Sequence, residues 1–246
     1  MVLFQPSGPA TVWDFSYYFG SGNAAKIVLW ISAIIGIIFA LLLLASYLNT
    51  RKTEHLYWGI SFALLWINTH IAIASGSYAY FLQEVPATFF ALMVGLFAVG
   101  LWKNVKPDKV KVGNYLLIYV IAMSLAIGFF KQATVNIVLG TPAILVPILV
   151  MALHIPMAIL IIWLPLQTRE ENGKSALAMT IAGALMSLVG ILLAIATLGI
   201  IATDFYLEIV FNAFPFVYLL SVLAFAWGTF VPKRWNFSIA GIELEE

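Results

Sequence analysis

The sequence contains no cysteine and very little charge, since only 9% of its 246 residues are Asp, Glu, Lys or Arg. The lack of cysteine excludes disulfides, thiolate metal sites, cysteine nucleophiles and iron–sulfur clusters. A soluble domain of this length carries about 25% charged residues, because its surface needs polar cover. A soluble enzyme and a disordered protein are therefore excluded. The formal net charge of +1 also excludes the basic surplus that nucleic-acid binding requires.

Apolar residues make up 63% of the chain, and its mean hydropathy is +1.03. A helix that crosses the lipid bilayer needs about 20 predominantly apolar residues. Seven stretches meet this requirement: Ile27–Leu48, Leu56–Ser75, Pro86–Trp102, Asn114–Phe130, Ala143–Leu166, Ala176–Ile200 and Phe205–Phe230. These stretches are continuously apolar and do not alternate with a period of two, which favours helices over barrel strands. The sequence predicts an all-α polytopic integral membrane protein with seven transmembrane helices.

The basic residues predict the orientation of these helices. Ten of the 12 Lys and Arg residues follow predicted helices 1, 3, 5 and 7, which places them on one side of a seven-span protein. Because such residues mark the cytoplasmic side, we expect the N-terminus outside and the C-terminus inside a plasma membrane. The expected organisation is an outer interfacial segment over residues 1–25, a seven-helix bundle over 26–231 and a short cytoplasmic tail over 232–246.

Two histidines lie within predicted spans, where ionisable groups are rare and often functional. His70 follows Trp66, Asn68 and Thr69 in helix 2, and His154 lies in helix 5. Counted from the inner helix ends, their depths differ by roughly 3 Å at 1.5 Å per residue. The pair fits three interpretations: axial ligands of a b-type haem, a protonatable pair, or two residues that pack helices through ordinary hydrogen bonds. The simplest of these interpretations is that the two histidines pack helices together through ordinary hydrogen bonds.

Prolines predict bends in two helices. Pro156 cannot donate to the carbonyl of Ala152, so that oxygen is free to accept a ligand, a water or the imidazole of His154. Pro215, three residues after Asn212, predicts a second bend in helix 7. Bends of this kind open polar sites inside membrane bundles.

Acidic residues collect on the predicted outer face. Asp204 and Glu208 are four residues apart at the start of helix 7 and share one helix face, and Lys131 lies on the same side of the membrane. Their simplest role is to complement the helix dipole and to pair with Lys131. The alternative is an entry site for a cation.

His55, the third histidine, lies at the inner end of helix 2 beside Arg51, Lys52 and Glu54. Since this end faces the cytoplasm in the predicted topology, we expect His55 to be solvated at the membrane surface.

The predicted topology is similar to that of rhodopsins and of seven-helix receptors. Rhodopsins hold retinal through a lysine in the last helix, and Phe205–Phe230 contains no lysine. A retinal protein of the usual type is therefore excluded, and the similarity covers topology alone.

These observations predict a receptor, sensor or complex subunit that binds a small or lipophilic ligand within the bundle. It is more readily a non-enzymatic protein than an enzyme, and no cofactor is required. We expect it to act through a protein partner that docks on the Lys103–Lys111 loop. The alternatives are a redox subunit with one haem between His70 and His154, and a proton- or cation-coupled transporter or channel.

Overall fold

The structure is a computed structural model that describes residues 23–74, 81–131, 140, 144–197 and 211–230. Over these residues the chain is helical, with short turns. The seven helices are α1 (Asn23–Thr50), α2 (Thr53–Ala74), α3 (Phe81–Val105), α4 (Val110–Lys131), α5 (Leu145–Gln167), α6 (Arg169–Thr197) and α7 (Phe211–Phe230). The prediction of an all-α fold with seven helices is confirmed.

Four stretches within these helices are long and apolar enough to cross a membrane: Trp30–Thr50, Thr88–Val105, Val110–Phe130 and Leu145–Gln167. Shorter apolar stretches occur in α6, over Gly173–Leu188, and in α7, over Leu219–Gly228, among the residues described. In length and composition these helices match those of a membrane-embedded protein.

Several helix ends differ from the predicted bounds. Helix α3 begins five residues before Pro86, and α6 begins at Arg169, seven residues before the predicted Ala176. The first residues of α6 are polar and separated from its apolar part by Gly173, whose backbone is not helical (φ 50°, ψ −119°). Apolar patterning locates only the part of a helix that lies in hydrocarbon, so it does not detect such polar extensions.

Helix α3 is the centre of the bundle. It packs against α2, α4, α5 and α6, while α1 packs against α2 and α7, and α6 against α5 and α7. Six helices thus form a closed ring in the order α1, α2, α3, α5, α6 and α7, and α4 lies outside it against α3 and α5. Every residue of α3 from 93 to 101 is buried, as expected for a central helix.

An aromatic cluster fills the interior of the ring. The ring centroid of Phe225 on α7 lies 4.5 Å from that of Phe62, 5.4 Å from that of Phe97 and 5.7 Å from that of Trp58. All four side chains are fully buried. The indole Nε1 of Trp58 also donates to the backbone carbonyl of Phe97 at 3.3 Å. This cluster joins α2, α3 and α7.

One end of the bundle carries most of the described basic residues. The connections at this end are short, with two residues between α1 and α2, four between α3 and α4, and one between α5 and α6. The basic residues at this end are Arg51, Lys52, Lys103, Lys106, Lys109, Lys111, Arg169 and Lys174. Lys131 ends α4 at the opposite end of the bundle, and Lys233 and Arg234 lie outside the described residues.

The expectation that His55 is solvated is wrong. Its side chain is 0% exposed, and its Nδ1 lies 3.0 Å from the hydroxyl Oγ of Ser46 on α1. The cause is the two-residue connection, in which the backbone N–H of Arg51 (φ 57°) donates to the carbonyl of Tyr47 at 2.8 Å. This tight corner presses the last turn of α1 against the first turn of α2 and covers the imidazole.

The contact between α5 and α6 depends on a glycine. A Cβ added at Gly183 would overlap the side chain of Ile161 on α5, whereas one at Gly36 would lie 3.2 Å from a terminal methyl of Leu65. We expect Gly183→Ala to lower the free energy of unfolding by about 1–3 kcal/mol, since overpacking strains a filled contact. Gly36→Ala should be nearly neutral, because the end of a leucine side chain can move. Thermal unfolding of both variants in one detergent compares them, and an equal loss would contradict this packing.

Candidate ligand site at His154

Only part of the predicted site lies among the residues whose side chains are described. His154 is fully described, and Trp66 is half-buried on α2. The side chains outside the described set are those of Asn68, Thr69, His70, Lys131 and Asn212, although their backbones lie in helices. Asp204 and Glu208 lie outside the described residues altogether. The site is therefore built around His154.

The imidazole of His154 is buried between helices. The residue is 1% exposed and lies on the face of α5 that also buries Leu153 and Met157. Its ring centroid lies 5.3 Å from that of Phe90 on α3, and the two ring planes make an angle of 33°. Its Nδ1 has no hydrogen-bond partner among the described residues. The structure thus holds a polar nitrogen in apolar and aromatic surroundings.

Pro156 lies two residues after His154, inside α5. The carbonyl of Ala152, which Pro156 deprives of its helical donor, accepts a hydrogen bond from the hydroxyl of Tyr119 at 2.6 Å. The sequence predicted that a ligand, a water or His154 itself would use this oxygen. Tyr119 uses it instead, because α4 packs beside α5 at this level. The sequence feature that could have indicated this bond is a tyrosine near the middle of an apolar helix.

The proposed pairing of His154 with His70 receives no support from helix packing. Helix α2 packs mainly against α1 and α3, and α5 packs mainly against α3, α4 and α6. Helix α3 therefore occupies the position between the two histidine-bearing helices. Because the His70 side chain lies outside the described residues, the pairing stays a prediction.

Other buried polar side chains show how this bundle normally satisfies polar groups. The hydroxyls of Ser61 and Ser221 each donate to a backbone carbonyl of a neighbouring helix at 2.7 Å. Ser124 and Ser187 are buried with no hydrogen-bond partner for Oγ in the part of the chain that the structure describes. His154 differs from these serines in its larger, aromatic side chain, and its Nδ1 accepts or donates according to the tautomer, whereas a hydroxyl does both.

The described residues hold no group of three or more His, Asp or Glu side chains placed to bind a metal ion. Comparisons with protein-family models, with curated proteins and with solved structures find no match for this chain.

Tyr119 offers a test of the α5 segment that precedes Pro156. Tyr119→Phe removes the donor to the Ala152 carbonyl and should lower stability by about 0.6 kcal/mol, and by no more than roughly 1.7 kcal/mol, as for other hydrogen bonds in membrane bundles. Tyr115→Phe is the matched control, because Tyr115 lies on the same helix and is 69% exposed. Thermal unfolding should separate the two variants. Identical stabilities would mean that the Tyr119 bond does not hold α4 against α5.

Proposed function

We propose that this protein is a seven-span receptor, sensor or complex subunit that binds a small lipophilic ligand at His154 and acts through partner proteins. In this proposal all seven helices cross a plasma membrane, with the N-terminus outside. The basic residues at one end of the bundle support that orientation, since Lys and Arg accumulate on the cytoplasmic side.

The observation that carries the ligand proposal is that the buried Nδ1 of His154 has no hydrogen-bond partner within the described ranges. A buried polar atom without a partner costs about 1–3 kcal/mol, so native structures nearly always supply one, whether protein, water or ligand. The surroundings of His154 are apolar and include the ring of Phe90. A ligand with an apolar, planar body and one hydrogen-bonding group matches this chemistry.

The position of the site suggests how occupancy is communicated. His154 lies within one helical turn of Pro156, and α5 continues into α6 through the single residue Thr168. A ligand that bends α5 at Pro156 would therefore move the start of α6 at the basic end of the bundle. That end faces the cytoplasm in the proposed orientation, where a partner is available.

Phenol and toluene test the site, because they have similar size and differ in the hydroxyl that would bond to an imidazole nitrogen. We expect phenol, added to protein with ¹⁵N-labelled histidine in lipid nanodiscs, to shift the ring nitrogen signal of His154. Toluene should leave that signal nearly unchanged, since it offers no hydrogen bond. The His154 signal is identified by its loss in His154→Phe.

His55 provides an internal control for this measurement. Its Nδ1 already faces the hydroxyl of Ser46 at 3.0 Å, so phenol should not shift the Nδ1 signal of His55. Equal shifts at both histidines would indicate a general solvent effect. A His154 signal that does not respond to phenol would contradict the ligand site.

The haem alternative has a separate test. If His154 binds a small ligand and does not ligate iron, the purified protein should show no Soret band between 350 and 600 nm, with or without dithionite. A band that disappears in both His70→Ala and His154→Ala would instead establish the redox subunit. The transporter alternative depends on Asp204 and Glu208, which lie outside the described residues, and no described contact favours it.

A further inference from the structure

The connection between α3 and α4 is a short and ordered turn. It spans residues 106–109, and the backbone N–H of Lys106 donates to the carbonyl of Trp102 at 2.8 Å. The carbonyl of Lys109 accepts from the N–H of Gly113 at 3.2 Å and from the indole of Trp102 at 3.4 Å. These bonds hold both ends of the turn to the adjoining helices. The lysines that it carries are therefore presented from a defined backbone.

The four lysines around this turn fall into two groups. The ammonium of Lys103 donates to Oδ1 of Asn114 at 3.1 Å and lies 5.5 Å above the ring of Tyr57. Its charge is therefore engaged within the protein. Lys106 and Lys111 have no ion-pair partner among the described residues, and Lys109 meets only Asp108, at 3.5 Å.

The ion pair of Lys109 does little to neutralise this surface. The side chains of Lys109 and Asp108 are 63% and 67% exposed, so water screens their attraction. Lys111 is also exposed. Three ammonium groups therefore remain available against one carboxylate.

The turn lies at the level where the membrane surface begins. The apolar stretch Thr88–Val105 ends just before it, and the apolar stretch Val110–Phe130 begins just after it. Trp102, which is half-buried beside the turn, has the amphipathic ring that is typical of the membrane interface. The lysines of the turn thus reach the layer that contains lipid headgroups.

We propose that Lys106, Lys109 and Lys111 bind the phosphate of anionic phospholipids at the cytoplasmic surface. Lysine ammonium groups near an anionic leaflet attract its headgroups, and several such groups act together. The proposal depends on the membrane placement of the bundle and is independent of the ligand site at His154.

A lipid fits this surface better than the protein partner that the sequence suggested for the Lys103–Lys111 loop. A stable protein interface buries about 800 Å² on each side, usually from 20 to 30 residues. The connection itself has four residues, and Lys103 already contacts Tyr57 and Asn114. A headgroup needs only a few charged donors, which this turn provides.

Native mass spectrometry of protein released from nanodiscs tests the proposal. The nanodiscs contain phosphatidylcholine with a minor fraction of phosphatidylglycerol, and the bound lipids are counted by mass. Wild-type protein should retain phosphatidylglycerol preferentially. The triple variant Lys106→Gln/Lys109→Gln/Lys111→Gln should bind phosphatidylglycerol more weakly by a factor of roughly ten or more, because each lysine contributes to the attraction.

The matched control removes the same charge at the same end of the bundle, through Arg51→Gln/Lys52→Gln/Lys174→Gln. This control should retain phosphatidylglycerol almost as well as the wild type. Equal losses in both triple variants would overturn the proposal, since they would indicate attraction by net charge without a local site. The lipid proposal would also be overturned if a partner protein bound the wild type and not the loop variant while both retained phosphatidylglycerol equally. Circular dichroism confirms that each variant is folded.

Discussion

The close approach of helix backbones at α3 is the constraint on which the rest of this bundle depends. Lipid tails are as apolar as leucine, so hydrophobic burial does not drive helices together, and dense packing must do so. A Cβ at Gly95 would overlap Val120 on α4, and one at Gly100 would lie 2.5 Å from the indole of Trp58 on α2. These two glycines let α3 contact helices on both sides. The ring of helices and the position of α4 both follow from that contact.

The interior of the bundle is divided by the kind of side chain that fills it. Near the basic end, Trp58, Phe97 and Phe225 pack edge to face or tilted, and the one indole N–H is satisfied by a backbone carbonyl. Between α3, α4 and α5, Nδ1 of His154 has no hydrogen-bond partner in the described part of the chain, and Tyr119 bonds to a carbonyl that a proline has freed. The first region has the character of a structural core. The second region contains buried polar groups that helix packing alone does not require.

Apolar continuity was enough to predict seven helices, because hydrocarbon admits no other backbone at this length. It was also enough to single out His154, since an imidazole is rare in such helices. It could not predict the environment of His55, which depends on how a two-residue corner packs α1 against α2. Nor could it predict the bond from Tyr119, which requires knowing that α4 lies beside α5. The local sequence pattern predicts where helices form, whereas the hydrogen-bond partners of a side chain depend on which helices become neighbours.

The lengths of the connections have a mechanical consequence. At the basic end they contain two, four and one residues, and they join α1 to α2, α3 to α4 and α5 to α6. Helices joined by so few residues cannot slide or separate at that end without breaking the turns that hold them. Within each of these pairs, a large relative movement must therefore separate the two helices at the ends away from the connection. His154 lies on α5, which Thr168 joins to α6, so a rotation about that connection displaces His154 more than the residues beside the connection.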